Sequence, residues 1–169
     1  MLGGRGVDTY YVDDDGDVVT EAANSGTDRV YSALDSYTLG SNVENLTLIA
    51  GVDSAGFGNT LNNIITGNSG DNFLDGGKGS DTLTGGQGND TLSAFDGTDG
   101  LYGGDGNDSL SGGADADELA GAGGADALDG GDGNDTLEGG PGAATLFGRN
   151  KAAWQAAGGT ARRRAADAA

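Results

Sequence analysis

Residues 67–147 divide into nine consecutive blocks of nine: GNSGDNFLD, GGKGSDTLT, GGQGNDTLS, AFDGTDGLY, GGDGNDSLS, GGADADELA, GAGGADALD, GGDGNDTLE and GGPGAATLF. The eighth place is leucine every time, from Leu74 to Leu146, and this stretch contains no other leucine. The sixth place reads Asn72, Asp81, Asp90, Asp99, Asp108, Asp117, Asp126, Asp135 and finally Ala144. A fixed period of this kind is the mark of a stacked-repeat architecture. It outweighs the composition, since 36 glycines, few apolar residues and a net charge of -19 otherwise describe a disordered chain. Disorder remains the reading for the chain without its ligands.

The period specifies a local geometry. Three residues such as Thr82-Leu83-Thr84 make a short strand, with the leucine facing inward and its neighbours outward. Six residues such as Gly85–Asp90 then reverse the chain, and glycine supplies the positive φ angles that tight turns need. Two blocks complete one coil of eighteen residues. Coils then stack as parallel strands, with two leucine ladders facing each other across a thin core. The expectation is an all-β parallel β-roll, a right-handed β-helix or solenoid.

A core of one leucine per block is small against the entropy of ordering glycine-rich turns. Packing acidic turns against one another adds repulsion, so a cation is required. Calcium suits the available donors, because it takes six to eight oxygens from carboxylates and backbone carbonyls in tolerant geometry. Magnesium is the poorer fit, since it demands octahedral coordination and keeps its waters. Turns on the same edge of the roll are eighteen residues apart. One edge therefore pairs Asp90 with Asp108 and Asp108 with Asp126. The other pairs Asp81 with Asp99, Asp99 with Asp117 and Asp117 with Asp135. The candidate metal ligands are thus Asp81, Asp90, Asp99, Asp108, Asp117, Asp126 and Asp135. Asn72 with Asp90 is a weaker pair, and Asp126 with Ala144 poorer still. Asp115, at a fourth place otherwise held by glycine, is strained if φ there must be positive.

The consensus G-G-x-G-x-D-x-L-x closely resembles the repeats-in-toxin (RTX), or hemolysin-type, nonapeptide, a calcium-binding parallel β-helix repeat. The likeness is clean over 67–147 and weaker over 58–66 (GNTLNNIIT) and an isolated block at 3–11 (GGRGVDTYY). It implies a secreted, extracellular bacterial protein. Such a protein passes the type I secretion machinery unfolded and folds on calcium outside the cell.

The chain accordingly reads as a degenerate β-rich region (1–57), a calcium-binding roll (58–147) and an Ala/Arg-rich tail (148–169). In the first region, β-rich runs occur at 10–12, 18–20, 29–31, 37–39 and 46–49, and Val30, Leu39, Leu48 and Phe57 are nine apart. This region either widens or caps the roll or forms a separate small β unit. Asp8 holds the sixth place of block 3–11 and is a candidate for one further ion. Asp13–Asp17 is no EF-hand, because Val18 and Asn24 stand where that loop needs glycine and glutamate. In the tail, Lys151–Ala157 reads as a short helix around Trp154. The tail occupies the place of the family's C-terminal secretion signal but is unlike it in character, and it reads equally as a disordered appendage or as a basic segment that folds back on the acidic roll.

Other functions are poorly supplied. With no histidine and no cysteine, the Ser-His-Asp triad, thiolate nucleophiles and histidine-ligated zinc are excluded. The acidic excess opposes nucleic-acid binding, and no apolar run is long enough for a membrane span. Paired carboxylates are the residue type of a glycosidase, but here they sit in the phase that metal ligation explains, and no catalysis is expected. An adhesive or ice-binding solenoid needs a regular ladder beside the leucine. The seventh place runs Phe73, Thr82, Thr91, Gly100, Ser109, Glu118, Ala127, Thr136, Thr145, an interrupted series.

Overall fold

The computed structural model describes residues 1–23 and 26–148, and the backbone of 153–157 and 160–161. Among them are seventeen strands and no helix. In chain order these are β1 (Thr9–Val12), β2 (Arg29–Ser32), β3 (Ser36–Thr38), β4 (Asn45–Leu48), β5 (Ala55–Phe57), β6 (Ile64–Thr66), β7 (Phe73–Asp75), β8 (Thr82–Gln87) and β9 (Thr91–Asp96). There follow β10 (Gly100–Asp105), β11 (Ser109–Ala114), β12 (Glu118–Gly123), β13 (Ala127–Asp132), β14 (Thr136–Pro141), β15 (Thr145–Phe147), β16 (Ala153–Ala157) and β17 (Thr160–Ala161). They form two parallel sheets, ordered β1-β2-β4-β6-β8-β10-β12-β14-β16 and β17-β15-β13-β11-β9-β7-β5-β3. From β2 onward the chain alternates between the sheets, and the whole makes a parallel β-solenoid of about eight turns.

The register gives the leucine ladders their form. Leu83, Leu101, Leu119 and Leu137 stand opposite one another in the first sheet, and Leu74, Leu92, Leu110, Leu128 and Leu146 in the second. All are essentially fully buried. The strands of the regular blocks run longer than a three-residue reading allows. From β8 to β14 each extends over six residues, because identical coils keep the opening glycines paired as well, as in Gly86↔Gly104 and Gln87↔Asp105. The chain reversal therefore falls mainly on the fourth to sixth places.

Those turns require left-handed backbone. The fourth place has φ +107° at Gly88 and +140° at Gly106. Asp115 holds the same place at φ 75°, as its position implied. Phe95 and Ala122 stand at the glycine second place with φ 72° and 68°. A side chain in this region is strained, so these three positions are the irregular points of the roll.

The N-terminal region belongs to the same two sheets, since β2 pairs with β4, β4 with β6 and β6 with β8 in the first, and β3 with β5 and β5 with β7 in the second. Val30, Leu39 and Leu48 are buried, whereas Phe57 lies half outside and packs against Phe73 at 5.8 Å. Its neighbour Gly56 takes the inward place opposite Leu74. The run 18–20 is not a strand and makes only the single bridge Leu2↔Thr20. The acidic turn 13–17 closes on itself, with Asp14 Oδ1 accepting from Gly16 N–H at 2.8 Å.

The helix expected at 151–157 is overturned. Lys151 and Ala152 lie outside the described residues, but Ala153–Ala157 is strand β16, parallel to β14 with Trp154 opposite Leu137. Helix propensity is a weak prior, and the unpaired groups of an open sheet edge offer a template for another strand.

Candidate metal centre

Each turn delivers its sixth residue to a column along one edge. Asp81, Asp99, Asp117 and Asp135 follow one another on the first edge, and Asp90, Asp108 and Asp126 on the second, as the eighteen-residue coil requires. Their contacts repeat. Oδ1 of each aspartate accepts the backbone N–H of the residue eighteen places earlier. The distances are Asp81–Asn63 2.7 Å, Asp99–Asp81 2.7 Å, Asp117–Asp99 2.9 Å and Asp135–Asp117 3.2 Å. On the second edge they are Asp90–Asn72 2.7 Å, Asp108–Asp90 2.8 Å and Asp126–Asp108 3.0 Å.

All seven aspartates are buried, at 1–3% exposure. In every one, Oδ2 is buried and has no hydrogen-bond partner. Buried polar groups are normally satisfied, and an unpaired buried charge is costly. Seven identical exceptions in one phase fit a cation held by these oxygens. The first glycine of the block leaves room for it. A β-carbon at Gly103 would overlap Asp108 Oδ2, and one at Gly85 would overlap Asp90 Oδ2 and stand 2.7 Å from the Gly103 carbonyl oxygen. Carboxylate and carbonyl oxygens with no nitrogen or sulfur donor are a calcium-type set.

The asparagine turns are finished differently. Asn63 Nδ2 donates to the carbonyls of Val43 (3.3 Å) and Glu44 (3.2 Å), and Asn59 Nδ2 to those of Gly40 (2.9 Å) and Val43 (2.8 Å). Here an amide N–H occupies the cation's role. Asn72 likewise spends its Oδ1 on Asn68 N–H at 2.7 Å and its Nδ2 on Asn68 Oδ1 at 3.1 Å, leaving no orphan oxygen of its own.

The first column also continues past the regular repeats. Asp28 Oδ1 accepts from Asp8 N–H at 2.8 Å across 20 residues, and Glu44 Oε2 from Asp28 N–H at 2.8 Å across 16. Asn63 then reaches Glu44 across 19. A search at period nine misses Asp28 and Glu44 because these coils differ in length. The signal was an acid directly before a β-run, as in Asp28-Arg29-Val30 and Glu44-Asn45-Leu46.

Burial raises the carboxyls of all seven aspartates above the ordinary range, opposed by the N–H bond to Oδ1. Asp81 and Asp90 are pushed up to about 6 and Asp117 to about 7; next after burial and the opposing bond, neighbouring carboxylates raise all three. A group whose folded value exceeds its unfolded value of about 4 stabilises the fold below that value and loses the contribution as pH rises through the folded one. In chelator, the roll should therefore hold more β structure at about pH 4.5 than at about pH 8, with the loss between about 4 and 7. Circular dichroism of the chelated chain across that window checks this, and a flat profile would contradict the burial of these carboxyls.

A sequence-family model described as RTX calcium-binding nonapeptide repeat (4 copies) matches residues 57–92, 93–128 and 111–146. The chain is also 41% identical over 66 residues to endo-1,3-1,4-beta-glycanase EglC, and 46% identical over 65 residues to endo-1,3-1,4-beta-glycanase ExsH, both of Rhizobium meliloti (strain 1021). These matches cover 39% and 38% of this chain and only 14% of each relative.

Proposed function

Because the chain belongs to the RTX calcium-binding nonapeptide repeat family, we propose that it is a calcium-responsive folding module of a secreted bacterial protein. The observation that carries this reading is the set of seven buried, unpartnered Oδ2 atoms. Asp81, Asp90, Asp99, Asp108, Asp117, Asp126 and Asp135 are the side-chain ligands, joined by carbonyls of the glycine turns. Bound calcium supplies positive charge between stacked carboxylates. The chain's own residues do the rest: Oδ1 fixes each carboxylate to the previous coil, and in six of the seven blocks the first glycine makes space for Oδ2, the block of Asp99 opening on Ala94 instead.

Residues 1–57 are irregular coils of the same solenoid and 58–147 the calcium-binding roll, and 148–169 is a tail whose β16 and β17 extend the two sheets. In a calcium-poor cytosol the chain stays unfolded and passes the type I secretion machinery, and it folds outside the cell. The module is not itself catalytic. The match to its glycanase relatives covers a small part of their length, so the activity in their names is not carried over to this chain.

Five gaps are bounded by two aspartates each. Equilibrium dialysis at about 10⁻³ M calcium, within the range of extracellular modules, should find at least that many ions per chain. Binding of two or fewer would sink the assignment.

A further inference from the structure

We propose that Asp8, Glu21 and Asp28 form a separate calcium site at the N-terminal end of the solenoid, of higher affinity than the repeat turns and filled before them. It uses no residue of 67–147 and stands or falls independently of the repeat-turn reading. Each of the three brings a carboxylate oxygen within 4.8 Å of the other two, the one such group of three among the described residues.

The cluster is built into the fold. Asp28 is 0% exposed; its Oδ1 accepts from Asp8 N–H at 2.8 Å, and its Oδ2 is buried with no partner. Glu21 is 6% exposed and accepts the Tyr10 hydroxyl. Asp8 accepts from Gly4 N–H at 3.1 Å. Gly3 lies so close that a β-carbon there would overlap both Glu21 and the Tyr10 hydroxyl. Among the described residues no ion pair reaches Asp8 or Asp28, the one described pair being Lys78–Asp96. The orphaned buried oxygen belongs to Asp28, which lies in reach of carboxylates from two other segments, and this is a position that calls for a cation.

The donors are all hard oxygens, which points to calcium or magnesium over zinc. Burial and ligands from unconnected segments favour calcium, whose coordination is tolerant, over magnesium, which keeps waters and demands an octahedron. Affinity rises with ligand charge count. In the repeat turns each interior aspartate is shared between neighbouring gaps, whereas here three carboxylates serve one ion. That ion ties the N-terminal segment, held by Gly3 N–H to Thr20 at 3.2 Å, to β1 and to the coil that enters β2.

The test is isothermal titration of the full chain with calcium, beside Asp28→Asn, Glu21→Gln and Asp117→Asn. The first of these keeps a side-chain oxygen for the Asp8 N–H while losing the charge. The wild type should show one equivalent tighter than the rest. Asp28→Asn and Glu21→Gln should each weaken that equivalent by about tenfold or more and leave the weaker class in place, whereas Asp117→Asn should spare it and reduce the weaker class. An unchanged first equivalent in Glu21→Gln overturns the proposal, as does its loss in Asp117→Asn. Should Asp28→Asn fail to fold, Glu21→Gln decides alone, because Glu21 lies outside every strand. Magnesium that fills the first equivalent as tightly as calcium also overturns it.

Discussion

In excess chelator at neutral pH, the chain should lose most of its β-sheet circular dichroism, and calcium should restore it cooperatively with a midpoint of about 10⁻⁴–10⁻³ M. The sheets of the regular blocks meet through one leucine per strand, and a net charge of -19 opposes compaction. Seven buried carboxylate oxygens have no partner to offset their desolvation. Ions that bind the folded chain alone add stability by mass action, about 1.4 kcal/mol per site at tenfold excess over its dissociation constant. Five such sites give about 7 kcal/mol, comparable to the whole stability of an ordinary domain. The dependence on calcium should therefore be near all-or-none. Residual β signal in chelator is expected from the coils around Asn59, Asn63, Asn68 and Asn72, whose amides already meet the carbonyls of the preceding coil or the oxygens of their own turn. Magnesium at equal concentration should do much less. An unaltered β spectrum in chelator would mean that the leucine ladders and backbone ladders suffice, and the calcium reading of the orphaned oxygens would fall.

How far this architecture can be read from residue order depends on where the determining contacts lie. Leucine at the eighth place and aspartate at the sixth are set within one block, so the two sheets, the inward ladder and the pairing of residues eighteen apart all follow from the period. Strand length does not, because pairing of Gly86 with Gly104 is decided by the stacking of two coils and not by either glycine's own preference. The N-terminal acids are harder still. Asp8 is found from its own nine-residue block, but Asp28 and Glu44 join its column through coils of 20 and 16 residues, and no fixed period finds those two. Glu21 joins Asp8 and Asp28 from outside every strand. The tail shows the opposite failure. An alanine-rich run favours helix locally, yet Ala153–Ala157 completes the edge left open by β14.

Asp108→Ala should raise the calcium midpoint clearly more than Asp135→Ala and make the transition less steep. The two aspartates are matched in burial, at 2% and 1% exposed, and each accepts one backbone N–H from the coil before it, Asp90 at 2.8 Å and Asp117 at 3.2 Å. Either substitution therefore orphans one buried N–H and opens one small cavity, so these costs cancel in the comparison. What differs is position. Asp108 has carboxylates on both sides, its own N–H being held by Asp126 Oδ1 at 3.0 Å, and it serves two gaps. Asp135 is the last acid of its column; β16 stacks beyond it, but the chain provides no further sixth-place aspartate there. Solenoid stability is close to a sum of nearest-neighbour terms, so a fault at Asp108 uncouples the coils on either side, while one at Asp135 frays an end. Asp105→Ala separates ligation from charge. Asp105 is exposed and in the same turn, so its loss changes net charge equally without removing a buried oxygen. Three calcium titrations by circular dichroism beside the wild type decide it. Equal shifts for Asp105→Ala and Asp108→Ala would show that overall charge governs the midpoint, and would remove the sixth-place aspartates as specific ligands.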